Sequence, residues 1–288
     1  MSSRNLRFTK MHGAGNDFIV LDGIHQDLTG ISKAQWVKLA HRQFGIGADQ
    51  ILIVERPSRE GAEFKYRIIN ADGNEVEQCG NGSRCFVRFV RAKGLTQNTT
   101  VQVEVAHTIL SLTENPDGQV TVNMGPPILG TEKIPFTPMN LSSKQEAQAT
   151  LYQLQTSEGS FWIHPVSMGN PHGVQIVNDV DHHPVATQGP VLESHPAFPK
   201  KMNAGFMQII SAHEIKLRVF ERGSGETLAC GTGACAAVVS GIMQNKLSSP
   251  VTVHTRGGDL IIEWDGNPEH PVMMTGPAVT VFEGEVSI

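Results

Sequence analysis

The sequence predicts an α+β fold of two pseudo-symmetric domains, each a curved, mostly antiparallel sheet wrapped round a central helix, with the active site in the inter-domain cleft. Three observations predict it. First, the stretch Asn70-Ala71-Asp72-Gly73-Asn74-Glu75-Val76-Glu77-Gln78-Cys79-Gly80-Asn81-Gly82 has an echo in Glu221-Arg222-Gly223-Ser224-Gly225-Glu226-Thr227-Leu228-Ala229-Cys230-Gly231-Thr232-Gly233. Each runs from a polar, Gly-containing turn through a cysteine and Gly-x-Gly into an apolar segment of helical character. Second, Gly15-Asn16 precedes the apolar run Phe18 to Leu21 as Gly169-Asn170 precedes Val174 to Val177; Asn16 stands 63 positions before Cys79 and Asn170 stands 60 before Cys230. Third, Ala234 to Met243 is apolar nearly all round, which suits a helix enclosed by strands rather than one lying on a surface. The expected domains are residues 1–125 with 277–288, and residues 126–276, with Cys79 and Cys230 facing each other across the junction.

Taken in order, Leu6 to Met11 and Phe18 to Asp22 read as strands joined by a polar turn at His12 to Asp17. Ser32 with Gln35 three positions on forms a capping-box pattern, opening a helix that carries Trp36, Leu39 and Ala40 and ends before Gly45. Ile51 to Val54 suits a buried strand, and Phe64 to Ile69 delivers Asn70 to the first cysteine turn. The helix after Cys79 places Cys85, Phe86, Phe89 and Val90 on one face; Arg84, Arg88 and Arg91 read as a solvated face, and Gly94 as the stop. Strands follow at Thr100 to Val105, Ile109 to Leu112 and Val120 to Met124. Pro126, Pro127, Pro135 and Pro138 crowd the expected junction. Further strands are expected at Phe161 to Val166, Val174 to Val177, Phe206 to Ser211 and Ile215 to Phe220. Val272 to Thr275 and Val279 to Val286 are expected to return to the first half.

Composition narrows the function. The formal net charge is -5 with no basic stripe, which argues against nucleic acid as a partner. There is no run of 18 apolar residues and the N-terminus has no signal-peptide core, so a soluble, cytoplasmic protein is expected. The four cysteines, 79, 85, 230 and 235, neither make a disulfide scaffold nor show Cys-x-x-Cys spacing, so no metal is expected. Cys85 and Cys235 read as core residues.

The chemistry follows from a thiol at a helix N-terminus, twice. Such an end carries free N–H groups and roughly half a positive charge, favouring a thiolate or a bound carboxylate. Removing a proton from one face of a chiral carbon and returning one to the other requires a base and an acid, and a thiolate and a thiol exchange those roles without a cofactor. Lowering a thiol pKa from about 8.5 to about 7 requires roughly 2 kcal/mol, more than the roughly 0.3 to 1 kcal/mol a helix end usually contributes. A neighbouring group is therefore expected to help, with His172 and Glu221 the candidates. Backbone N–H groups at Gly80, Asn81, Gly231 and Thr232 would hold the charge of a carbanion beside a carboxylate. The residues read as a cofactor-independent racemase or epimerase of an α-amino or related acid; a thiol redox protein is the rival from another class.

These motifs resemble the diaminopimelate epimerase family. The resemblance rests on Met11 to Asp17, Gly45 to Gln50, Asn70-Ala71-Asp72-Gly73 through Cys85, Gly169-Asn170-Pro171-His172, Asn203 to Met207, Glu221-Arg222-Gly223 through Gly233, and Met274-Thr275-Gly276-Pro277-Ala278. Proline racemases share the cysteine turns but act on a compact ring. The resemblance implies interconversion of LL- and meso-2,6-diaminopimelate for lysine and peptidoglycan precursors, with no pyridoxal phosphate or metal. It implies Cys79 and Cys230 as the acid and base pair assisted by His172 and Glu221. Asn16, Gln50, Asn70, Asn170, Asn203, Glu221 and Arg222 would hold the substrate, with Gly80, Asn81, Gly231 and Thr232 on its reacting carboxylate. Arg222 would grip the distal carboxylate in bidentate fashion. A homodimer is possible, although Phe282 stands where the family often has a tyrosine at a dimer contact.

Overall fold

The computed structural model describes residues 4–76, 80–106, 108–138 and 140–288. The chain divides into two compact units, Met1–Asn123 with Gly276–Ile288, and Met124–Thr275. In the first unit β1 (Asn5–Gly13) and β2 (Asn16–Asp22) form a hairpin, and α1 (Lys33–Ala40) leads to β3 (Gln50–Glu55), parallel to β2. The antiparallel β4 (Phe64–Asn70) and the short β5 (Glu75–Val76) precede α2 (Gly80–Ala92). Next, β6 (Thr100–Val105) lies parallel to β4 and continues antiparallel through β7 (Thr108–Glu114) and β8 (Val120–Asn123).

The second unit begins with β9 (Ser143–Glu146) and β10 (Ala149–Thr156), then repeats the first unit pairing for pairing. β11 (Gly159–Ser167) is antiparallel to β12 (Pro171–Ile176); after α3 (Val185–Glu193), β13 (Asn203–Ser211) is parallel to β12. β14 (Glu214–Glu221) and β15 (Gly225–Glu226) are antiparallel neighbours leading to α4 (Gly231–Met243). β16 (Val251–Thr255) is parallel to β14, and β17 (Gly258–Glu263) and β18 (Met273–Gly276) complete the antiparallel series. The last strand, β19 (Val279–Ser287), pairs with β1 in the first unit, just as β10 pairs with β11 in the second. Of the strands expected to return to the first half, β19 does so by joining β1.

Each sheet curls round its own helix. α4 buries Ala234 to Val239 against β11, β12, β13, β14 and β17. Its alanines give helix propensity and let the sheet approach closely, while Val238 and Val239, fully buried, contribute roughly 1.5 to 3 kcal/mol each. α2 is amphipathic and packs Cys85, Phe86, Phe89 and Val90 on β1, β2, β3, β7 and β8. The solvated arginine face expected on α2 is not found. Arg84 is fully buried, and Arg88 and Arg91 both bond the buried Glu114 of β7. Sheet surrounds this helix on more sides than its apolar stripe announced, so its cations find carbonyl and carboxylate partners inside.

Local signals account for the smaller elements. Ser32 caps α1 with the reciprocal bonds of a capping box: its Oγ accepts from Gln35 N, and its own N–H donates to Gln35 Oε1. α3 was not foreseen, because Gly189 and Pro190 lie inside it and its apolar pattern is weak. Among the described residues no helix is long and apolar enough to cross a membrane.

Candidate active site

In the second unit the chain register gathers the polar residues at one end of the sheet. His172 of β12 stands beside Asn203 of β13, and Asn203, one residue before the Ala204 and Phe220 pair, neighbours Glu221 at the end of β14. Nine residues after Glu221 comes Cys230, the N-cap of α4. Its side chain makes no capping bond, and Ala234 N–H closes the first turn on its carbonyl.

Cys230 is 5% exposed, and its Sγ donates to Glu221 Oε2 at 3.0 Å. Thr227 donates to the other carboxylate oxygen, Oε1, holding the carboxylate in place. Burial pushes the Cys230 thiol well above its ordinary range, and the negative charge and hydrogen bond of Glu221 push it further. The Thr232 hydroxyl and the Gly233 N–H pull the other way and lose. The expectation that a polar neighbour lowers this thiol's pKa is therefore reversed at Cys230. The helix end is outweighed by loss of water and by a like charge in contact. At neutral pH Cys230 keeps its proton.

A second chain of contacts reaches the same helix end. Thr232 Oγ1 lies 3.6 Å from the sulfur and accepts from Asn170 Nδ2 at 3.4 Å, and Asn170 Oδ1 takes the Nε2–H of His172 at 3.0 Å. This bond places the histidine proton on Nε2 and leaves Nδ1, buried, without a hydrogen-bond partner among the described residues. Asn203 Nδ2 stands 3.5 Å from the same nitrogen, too far to count as a bond, while its Oδ1 accepts the backbone N–H of Arg222 at 2.8 Å. Burial, helped by the charge of Arg222, pushes His172 down to about 3. At neutral pH the imidazole is neutral and anchors the Asn170 amide. The Arg222 guanidinium is exposed and donates to the Lys200 carbonyl at 3.1 Å.

The first unit carries an amide cluster at the corresponding place. Gln50 stands beside Phe18 of β2 and opposite Asn70 of β4, and its Nε2 donates to Asn70 Oδ1 at 2.8 Å. The Gln50 Oε1 is buried with no hydrogen-bond partner among the described residues, an acceptor suited to an ammonium group. Asn81, in the first turn of α2, donates to Asn16 Oδ1 at 3.4 Å, and Asn16 donates to Asp49 Oδ2 at 2.9 Å. Gly80 begins α2. Cys79, with Glu77 and Gln78, lies outside the described residues.

Behind this cluster lies an ionic frame that no local pattern announces. Burial pushes the Asp17 carboxyl up, but hydrogen bonds from Arg42 and Lys10 outweigh it and hold the group well below the usual carboxylate range. Arg42 also bonds Asp49, so the residue that orients Asn16 is itself fixed. Asp17 sits in the quoted Gly15-Asn16-Asp17 turn, and that turn's density of polar side chains was the signal available. Thr227, inside the second cysteine turn, was passed over in the same way.

The comparisons agree on a family. The family model described as diaminopimelate epimerase matches residues 8–130 and 165–281. Diaminopimelate epimerases of Cupriavidus metallidurans and Cupriavidus taiwanensis are 61% and 59% identical over 283 residues, covering 98% of this chain and 98% of each relative. That of Burkholderia thailandensis is 56% identical over 285 residues, covering 98% of this chain and 99% of its own. Among solved structures, a hydroxyproline epimerase from Agrobacterium vitis superposes with a TM-score of 0.69 at 14% identity, covering 99% of this chain and 93% of that one. A phenazine biosynthesis protein of Bacillus anthracis superposes with a TM-score of 0.68 at 17% identity, covering 99% and 100%. At such identities the structures speak for the fold alone, whereas the sequence relatives and the family model decide the lineage: this chain belongs to the diaminopimelate epimerase family.

Proposed function

We propose that this chain interconverts LL- and meso-2,6-diaminopimelate through two thiols, Cys79 from the first unit and Cys230 from the second. One sulfur, as thiolate, takes the α-proton; the other, as thiol, gives a proton to the opposite face of the same carbon. After the exchange the first is protonated and the second is not, which is the starting state for the reverse reaction. The supporting observation is the buried Cys230 thiol bonded at 3.0 Å to the Glu221 carboxylate, because it assigns Cys230 the proton in the free protein. Cys79 is then the base of the first turnover.

The N–H groups that open α2 and α4, at Gly80, Asn81, Gly231 and Thr232, take the reacting carboxylate and the charge that develops beside it. The distal end carries both an ammonium and a carboxylate. The unsatisfied Gln50 Oε1 with Asn70 and Asn16 suits the ammonium, and Arg222, flanked by Asn203, suits the carboxylate. His172 acts as a neutral anchor for Asn170. The reaction supplies lysine and peptidoglycan precursors in the cytoplasm. A homodimer fits the outward strip of Val279, Val281 and Phe282 on β19, each between 42% and 55% exposed.

The deciding experiment follows solvent deuterium into LL- and meso-diaminopimelate with the natural protein and with Cys79→Ala and Cys230→Ala. The expected result is epimerisation with α-deuterium incorporation in the natural protein and loss of epimerisation in both variants. Turnover of proline but not diaminopimelate, or epimerisation surviving either substitution, would overturn the proposal.

A further inference from the structure

We infer that Glu193 is a positioning residue for the substrate's distal end, acting through the turn that carries Arg222; this rests on the proposed role of Arg222. Glu193 is the last residue of α3 and only 6% exposed. A carboxylate is out of place there twice over, because burial costs it hydration and a helix C-terminus repels negative charge. Its partners explain why it stays. Oε1 accepts the backbone N–H of Gly223 at 3.1 Å, and both oxygens receive Lys201 Nζ at 3.2 Å. Its main-chain carbonyl accepts the N–H of Met202 at 3.1 Å.

These contacts close a ring. The Gly223 N–H follows Arg222, the Arg222 guanidinium donates to the Lys200 carbonyl, Lys201 returns to Glu193, and Asn203, two residues on, accepts the Arg222 N–H. Glu193 thereby ties together the Lys200–Asn203 segment and the Arg222–Gly223 turn, the two stretches proposed to meet the distal carboxylate. Lys201 sits at φ +58°, a left-handed conformation that a lysine rarely adopts unless its surroundings hold it there. Among the described residues the Glu193 side chain bonds Gly223 and Lys201 and not the Cys230 thiol, so its loss is a defect of binding rather than of proton transfer.

The test measures kcat and KM for meso-diaminopimelate by α-deuterium exchange in Glu193→Ala, Glu193→Gln, Arg222→Met and the Glu193→Ala/Arg222→Met pair, with thermal unfolding of each. Glu193→Ala is expected to raise KM about 10-fold, the effect of losing a charge-assisted hydrogen bond, with kcat within about twofold. Glu193→Gln, which keeps an acceptor for Gly223, is expected to raise it about threefold or less. In the Arg222→Met background Glu193→Ala should add less than about twofold to KM, because both changes disable the same grip. If Arg222→Met raises KM while Glu193→Ala leaves it unchanged, lowers kcat instead, or adds its full effect in the pair, the inference fails and the role of Arg222 stands. If Arg222→Met leaves KM unchanged, the role of Arg222 fails and the inference with it.

Discussion

Phe18 and His172 occupy the same place in the two units, each on the strand that pairs in parallel with the next, and so do Gln50 and Asn203, and Asn70 and Glu221. The backbone repeats but the chemistry does not. The first unit presents a phenyl ring and an amide, Phe18 and Asn70, where the second presents an imidazole and a carboxylate, His172 and Glu221. One thiol therefore has a negative group 3.0 Å away that keeps its proton on, while the nine-residue connection to the other begins at an uncharged asparagine. A duplicated fold has been made into an acid side and an amide side by exchanging a few side chains at fixed positions.

Making the second unit resemble the first should produce the largest effect. Glu221→Gln replaces the carboxylate by an amide like that of Asn70, and kcat should fall about 100-fold or more, within the range for losing a proton-transfer partner. Cys230, freed from the neighbouring charge, should be alkylated faster by iodoacetamide at pH 7, because the thiolate is the reactive form. Unchanged alkylation with full activity would show that the carboxylate does not set the thiol's proton.

Next in size are the matched glycines three residues after each cysteine. A Cβ on Gly82 would come within 2.1 Å of the Tyr66 hydroxyl, whereas one on Gly233 would meet a Val219 methyl at 2.9 Å and the Cys230 sulfur at 3.2 Å. Gly82→Ala should lower stability in urea by about 1 to 3 kcal/mol. Gly233→Ala should lose less stability but reduce kcat about 10-fold by moving the sulfur. Equal stability losses with equal kinetics would erase the distinction between the two helix ends.

The effect most remote from catalysis is in the pH dependence of stability. His172 is pushed from 6.5 down to about 3 by burial and by Arg222, and His164, beside Ser240, down to about 4 by burial. In both, the folded state resists the proton that the unfolded chain accepts. Their contribution is complete above pH 6.5 and is lost on acidification toward those lower values, at about 1.4 kcal/mol per pH unit for each. Urea titrations between pH 6.5 and 4 should show that slope, and His172→Phe, which copies Phe18, should remove about 1.4 kcal/mol per unit of it. An unchanged slope would show that His172 is not held neutral by the fold.

Much of this arrangement was legible in the residues. The capping box at Ser32 and Gln35, the alternation of strands and the two Gly-x-Gly helix starts are local signals, and the structure uses them where they stand. The parts that were not legible depend on distant partners. Arg84 looked solvated because nothing within α2 shows that the carbonyl of Pro277, 193 positions later, accepts its Nε–H. Glu221 looked like an aid to thiolate formation, since the sign of its effect depends on how dry the sulfur is. Glu193 gave no signal, because its partners lie on two other segments. α3 hid behind Gly189 and Pro190, where tertiary packing overrides poor local preference.

The pairing of β1 with β19 has a consequence for how the protein is made. Asn5 meets Ser287 and Leu6 meets Val286, so the outer edge of the first unit is finished by a segment made only after the whole second unit. The second unit draws every strand from one continuous stretch and is free to close on itself earlier. The nascent first unit must wait with its β1 edge unpaired through the synthesis of more than half the polypeptide. Mispairing of the growing chain with a neighbour would begin at that open edge.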